Sequence, residues 1–252
     1  MKRAGCALLF AAALLGGCVS QAEQERRQRL VETHTQLGAS YLQRGQIDIA
    51  KENLQQALEA DADDSAANNM MALLQWRLKE YDEAERHFRR AVGAGKDTAE
   101  AQNNYGTFLC ERGKVDEAVK WFERAAADPF YKTPAIAEEN AGLCLMRKPA
   151  PAVAEKYFRQ ALRLEPVLPK SLLQMAHISF DAGNTLSARG FIQRHLQVAP
   201  DSAEALWLAV RIERALRNKN EEASYALRLK SKFPDSPEAK RLGAQAGARQ
   251  SP

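Results

Sequence analysis

A pattern of small and aromatic residues, Ala-x3-Phe-x2-Ala, recurs along this chain at a nearly constant step. Its clearest copies begin at Ala84, Ala118 and Ala154, and a weaker copy with leucine in place of phenylalanine begins at Ala50. The starts at 50, 84 and 118 are 34 residues apart. Residues spaced by three and four share one face of a helix. A longer period of this size indicates a repeated pair of helices that buries its apolar face against the next pair.

This recurring Ala-x3-Phe-x2-Ala pattern, called the alanine ladder below, resembles that of tetratricopeptide repeats, which are helix-turn-helix hairpins of this period. The resemblance implies an all-α fold, an α-solenoid of about six such repeats forming a right-handed superhelix. Arrays of this kind bind other proteins and rarely do chemistry. The predicted repeat frames within residues 31–236 are 31–64, 65–98, 99–132, 135–168, 169–202 and 203–236, and residues 237–252 are predicted to form a C-terminal cap and tail.

Two sets of glycines fit the hairpin prediction. One set occupies the predicted turn between the two helices, where a left-handed backbone favours glycine. The other set lies in the middle of the first helix, where glycine costs up to about 1 kcal/mol against alanine. We therefore expect the second helix to cross so close to this point that a side chain would push it away. The turn glycines are Gly45, Gly113 and Gly183, and the mid-helix glycines are Gly38, Gly106 and Gly142.

The step between the third and fourth repeats is longer than the others. From Ala118 to Ala154 it is 36 residues, and the intervening segment 128–134 contains Pro129 and Pro134. Two interpretations stay open at this point. The insertion changes the pitch of the superhelix locally, or it is a loop that the stack tolerates.

The N-terminus predicts export and lipidation. Lys2 and Arg3 precede an apolar run over residues 7–15 that is too short to span a bilayer as a helix. The sequence Leu-Gly-Gly-Cys at residues 15–18 resembles a bacterial lipobox. It implies a signal peptide over residues 1–17, lipidation of Cys18 and a polar tether over 18–30. An ordinary signal peptide with a chance cysteine is the alternative.

The resemblance to lipoprotein sorting in Gram-negative bacteria also implies a location. Val19, rather than aspartate, follows Cys18, which favours the outer membrane with the body of the protein facing the periplasm.

Composition and motifs argue against nucleic-acid binding and catalysis. Loss of Lys2 and Arg3 with the signal peptide lowers the formal charge from +4 to +2, and the remaining charges of both signs are interleaved. The histidines lie in different repeats without metal-ligand spacing, and no nucleophile elbow or dinucleotide-binding turn occurs. We expect neither a metal nor another cofactor, and no enzymatic activity.

Two cysteines remain in the predicted mature body. Cys110 and Cys144 lie near the ends of the first helices of neighbouring repeats. An oxidising periplasm favours a disulfide between them, provided that their Cα atoms lie within about 7 Å of each other. Two buried free thiols are the alternative.

A partner-binding groove is expected on one face of the array. In tetratricopeptide arrays it is lined by positions 2, 5, 9 and 12 of each first helix. The lining taken from these positions in the second to fifth repeats is mostly apolar with a few amides, and it lacks the lysines and arginines that grip the carboxylates of chaperone tails. Some of these residues are alternatively expected to face a neighbouring helix. The predicted lining is Asn69, Leu73, Trp76, Asn103, Thr107, Glu139, Leu143, Met146, Leu173, His177 and Phe180.

Three segments resemble a particular family. They are Asn-Asn-Tyr-Gly-Thr-Phe-Leu-Cys at residues 103–110, Asp-Pro-x-Tyr at 128–131 and Asn-Ala-Gly-Leu-Cys at 140–144. Together with the lipobox and six repeats, they are similar to the type IV pilus biogenesis lipoproteins of the PilF/PilW family. The resemblance implies a monomeric pilotin, an outer-membrane lipoprotein that helps secretin subunits localise and multimerise.

Two other functional classes are weighed against this one. Another periplasmic repeat lipoprotein would serve β-barrel assembly or act as an adaptor for cell-wall hydrolases, and its partner would distinguish it. A repeat-domain enzyme would need a catalytic constellation, which the sequence lacks.

Overall fold

A computed structural model of the chain describes residues 5–95, 98–148 and 151–248, with side chains described from residue 21 to residue 244. Within these ranges the chain forms thirteen α-helices and no strand. No helix in the described part is both long and apolar enough to cross a membrane. The chain divides into two compact units, residues 1–131 and 132–252.

The first unit consists of three helical hairpins. Its helices pair in chain order, so that α1 packs on α2, α3 on α4 and α5 on α6. Their bounds are α1 Gly5–Gln43, α2 Ile47–Ala60, α3 Ser65–Arg77, α4 Tyr81–Gly93, α5 Ala99–Glu111 and α6 Val115–Ala127.

The second unit repeats the arrangement and adds a final helix. Here α7 packs on α8, α9 on α10 and α11 on α12, while α13 contacts both α11 and α12. Ala239 and Leu242 of α13 are buried in the same core cluster as these helices, so α13 covers the end of this unit. The bounds are α7 Pro134–Leu145, α8 Pro151–Leu164, α9 Pro169–Asp181, α10 Thr185–Val198, α11 Ala203–Ala215, α12 Lys219–Lys232 and α13 Pro237–Ala248.

These hairpins confirm the predicted all-α repeat fold. Each predicted frame holds one pair of helices, except that α1 begins at Gly5, well before the frame 31–64, and α7 begins at Pro134, one residue before its frame. The polar segment 21–30, expected to be a tether, is an exposed part of α1 and therefore helical. Residues 1–4 lie outside the described part of the chain, and so does the side chain of Cys18.

The mid-helix glycines lie where the paired helix crosses closely, as predicted. A Cβ atom at Gly38 would lie 2.6 Å from Cγ of Leu54, and one at Gly106 would lie 2.8 Å from the ring of Phe122. At Gly142 the same atom would lie 2.7 Å from the ring of Phe158. Since these facing side chains are buried, the glycines are required for hairpin packing.

A pair of glycine substitutions tests this packing argument. Gly142→Ala is expected to destabilise the protein by about 1–3 kcal/mol, because Phe158 is fully buried and has no room to shift. Gly190→Ala in α10, where an added Cβ meets nothing within 4 Å, is expected to stabilise by about 0.5–1 kcal/mol. Urea denaturation of both variants measures the two shifts. Shifts of the same sign would contradict the argument.

The predicted turns adopt the left-handed backbone that favours glycine. Gly45, Gly113 and Gly183 have φ values of 76°, 79° and 79°. Lys79 and Arg217 occupy the same register position in the second and sixth repeats, with φ values of 66° and 58°. The turn geometry therefore persists where the preferred residue is missing, because hairpin packing outweighs local preference.

The insertion after the third repeat is organised by Asp128. Its Oδ1 accepts a hydrogen bond of 2.8 Å from the backbone N–H of Phe130, and its carbonyl oxygen accepts one of 3.2 Å from Tyr131. The side chain of Phe130 is 88% exposed. The boundary between the two units falls directly after Tyr131, within this insertion.

Candidate partner-binding surface

Two asparagines predicted to line the groove are buried in the first unit. Asn69 is 2% exposed and Asn103 is 8% exposed. Nδ2 of Asn104 donates to Oδ1 of Asn69 at 3.2 Å, which links the second repeat to the third. The assignment of these two amides to a partner surface is therefore corrected because both are buried, and the Asn69 amide instead holds the second and third repeats in register.

The other predicted residues of the first unit are half-buried. The Trp76 ring meets Phe108 edge-on at 5.5 Å and Phe88 at 6.3 Å between centroids. Thr107 donates its hydroxyl to the carbonyl oxygen of Asn103 at 3.1 Å. Trp76, Thr107 and Leu73 each keep an exposed fraction, so they are available to a partner while their inner parts pack in the unit.

Glu139 in the second unit has a structural role that the sequence did not indicate. Its side chain is buried, and Oε2 accepts from both the backbone N–H and the hydroxyl of Ser171, at 3.0 Å and 2.7 Å. Ser171 lies in the first turn of α9, where backbone N–H groups lack helical partners. The prediction of Glu139 as a partner-binding residue is therefore corrected, because its carboxylate caps the next repeat.

Two other predicted residues of the second unit share a cavity. Met146 is at its edge and exposed, while His177 is half-buried. The cavity has a volume of about 290 Å³. Leu143, Leu173 and Phe180 are half-buried in the same unit. The residues that line the cavity are Met146, Pro151, Ala152, Glu155, His177, Ile178, Asp181 and Ala182.

The sixth repeat contributes residues that the predicted lining omitted. Nε2 of His177 lies 3.1 Å from Oε1 of Glu204. The guanidinium carbon of Arg211 lies 4.6 Å from the ring centroid of Phe180. The register rule applied above also identifies these residues, because positions 2, 5, 9 and 12 of the frame 203–236 are Glu204, Trp207, Arg211 and Arg214. The expectation of a lining without arginine is therefore corrected.

Cys110 and Cys144 are both buried. Cys110 is in α5 of the first unit, and Cys144 is in α7 of the second. The disulfide between them stays a prediction. Among the described residues, no group of three or more histidine, cysteine or acidic side chains is placed to hold a metal ion.

Paired helices with half-buried residues along the first helix of each hairpin define a tetratricopeptide-repeat protein. The tetratricopeptide repeat family matches residues 35–97 and 69–132. The type IV pilus assembly protein PilF of Pseudomonas aeruginosa is 31% identical over 246 residues, which cover 95% of this chain and 98% of that protein. The chain therefore belongs to the PilF/PilW family of tetratricopeptide-repeat proteins.

Two solved structures of the family agree with this assignment. The structure of Pseudomonas aeruginosa PilF has a TM-score of 0.80 at 31% identity, with 87% of this chain and 99% of that chain covered. The structure of PilW, described as a widely conserved type IV pilus biogenesis factor, has a TM-score of 0.70 at 31% identity. That match covers 84% of this chain and 97% of PilW.

Proposed function

We propose that this protein is a type IV pilus biogenesis factor that acts as a pilotin for the secretin. The observation that carries the proposal is similarity along nearly the whole chain to PilF, which is named a pilus assembly protein. The structure of PilW is also similar to that of this chain, with the same sequence identity of 31%. The match covers 95% of the chain, so it extends beyond the predicted repeats.

The proposed anchor is a lipid on Cys18 in the outer membrane. The Leu-Gly-Gly-Cys sequence at residues 15–18 and the following valine support it. The exposed helical segment 21–30 would then separate the lipid from the first hairpin by about 15 Å, at about 1.5 Å per residue. One acyl chain alone holds a protein only marginally, whereas several buried chains hold it stably.

The proposed action is capture rather than chemistry. In the first unit, the half-buried side chains of Leu73 and Trp76 offer contact area to an extended segment of a secretin subunit. In the second unit, the half-buried side chain of Phe180 does the same. Binding to a membrane-anchored protein raises the concentration of subunits at that membrane. Multimerisation then becomes faster than misassembly, without any new contact between the subunits.

Co-purification of the lipidated protein tests the identity of the partner. From detergent-solubilised membranes of its own cells, the tagged protein is expected to retain the pilus secretin, measured by quantitative mass spectrometry against an untagged strain. Recovery of β-barrel assembly subunits or cell-wall hydrolases in place of the secretin would contradict the proposal. It would instead support a general periplasmic scaffold.

A further inference from the structure

The second unit has a small cleft that is lined by two aromatic side chains and two arginines. We name it the Arg211 cleft. It has a volume of about 330 Å³ and is formed by the later turns of α9 and α11. This volume is at the lower end of the range for ligand sites, about 300–1,000 Å³, and suits one or two side chains. The lining residues are Phe180, Trp207, Arg211, Arg214 and Ala215.

The walls of the cleft are fixed in place. Phe180 and Trp207 pack against the buried core cluster of the unit. Nε of Arg214 lies 2.7 Å from Oε1 of Glu222, and its guanidinium lies 6.0 Å from the Trp207 ring centroid. Since these side chains are already positioned, a ligand would lose little binding energy in ordering them.

Arg211 differs from the charged residues around it. Glu204 is within ion-pair distance of His177, and Glu222 is within ion-pair distance of Arg214. Among the described residues, no carboxylate lies within ion-pair distance of Arg211, which is half-buried and stacked on Phe180 at 4.6 Å. The stacking orients the planar guanidinium and leaves its N–H edge available. A carboxylate is the group that such an edge binds in two parallel hydrogen bonds.

We infer that the Arg211 cleft binds an aspartate or glutamate side chain of an extended partner segment, with a neighbouring apolar side chain packed on Trp207. The single guanidinium of Arg211 would bind a single carboxylate side chain of the partner segment. The aromatic wall matches the apolar neighbour. This inference rests on the proposed function in one respect, because it assigns the segment to the secretin.

A peptide-display experiment tests the cleft without assuming the partner. Random dodecapeptides are selected on the mature protein, and the binders are measured by fluorescence polarisation against Arg211→Gln, Arg211→Lys and Lys230→Gln. Lys230 is exposed on α12, so its replacement changes the charge equally outside the cleft. Circular dichroism and thermal melting verify that all three variants are folded.

We expect the selected peptides to share an acidic residue beside an apolar one. Arg211→Gln is expected to weaken them by about 10- to 100-fold, as for the loss of a charged hydrogen bond. Arg211→Lys keeps the charge without the planar fork and is expected to give an intermediate loss, while Lys230→Gln leaves affinity unchanged. Failure to select binders, absence of the acidic residue, or equal binding to Arg211→Gln would overturn the inference.

Binding of the periplasmic region of the secretin, measured in competition with the selected peptides, distinguishes this inference from the proposed function. Competition with the selected peptides supports both. Secretin binding that neither competes with the peptides nor weakens in Arg211→Gln overturns the assignment of this cleft to the secretin and leaves the pilotin proposal standing. If the secretin does not bind, the pilotin proposal fails, and the peptide measurements alone decide whether the cleft binds a carboxylate.

Discussion

Replacing Cys18 by alanine is expected to abolish the lipidated form of the protein and its outer-membrane attachment. The sulfur of Cys18 is the atom that receives the lipid in the proposed pathway, and processing before this residue depends on it. Each buried methylene of an acyl chain contributes about 0.8 kcal/mol to membrane binding, so loss of the chains removes nearly all of the attachment. Mass spectrometry of the N-terminal peptide and sucrose-gradient fractionation of membranes measure the two effects.

The chain provides a matched control for this substitution. Cys6 lies within the predicted signal peptide and leaves with it, so Cys6→Ala is expected to give the same lipidated product and distribution as the wild type. An unmodified N-terminus in the wild type, with Cys18→Ala processed and distributed identically, would contradict lipidation. It would support the alternative of an ordinary signal peptide.

The largest stability effect is expected from Arg189→Met in the second unit. Nε of Arg189 lies 3.0 Å from Oε1 of Glu213, and the carboxylate is fully buried. Its other oxygen accepts a hydrogen bond of 3.1 Å from Nδ2 of Asn218. Removing the guanidinium leaves a buried charge without its counter-ion, which costs about 3–5 kcal/mol. Chemical denaturation followed by circular dichroism measures the loss.

Two further variants separate charge burial from loss of packing. Arg159→Met breaks the exposed pair with Glu155 in α8 and is expected to cost at most about 1 kcal/mol. Adding Glu213→Gln to Arg189→Met is expected to restore part of the stability, because the neutral amide no longer buries an uncompensated charge. Equal losses for Arg189→Met and Arg159→Met, or no recovery in the double variant, would contradict this explanation.

The features that the sequence predicts well are those that repeat. The residues of the alanine ladder and Gly106 lie where the two helices of one hairpin pack closely, and this packing contact recurs at a fixed spacing. Periodicity therefore locates the hairpins without any knowledge of how they stack. Lys79 and Arg217 show the limit of the glycine rule, because the turn keeps its left-handed backbone without glycine.

Contacts between hairpins are less predictable. Asn69 and Glu139 occupy groove positions by register, yet each bonds the following repeat. Whether a polar side chain at such a position faces a partner or a neighbouring helix depends on packing between repeats, which the period does not encode. Arg211 is predictable in this sense, since it lies at position 9 of the frame 203–236, although Glu222 and Ala226 replace alanine and phenylalanine in that repeat.

The amount of heat-resistant secretin multimer in cells that lack this protein tests the pilotin proposal most directly. We expect the multimer and surface pili to be lost while secretin monomer is still made, and both to return when the wild-type gene is restored. The multimer is measured by immunoblotting of membranes heated in detergent. Normal amounts of multimer and normal surface pili in the deletion strain would contradict the account.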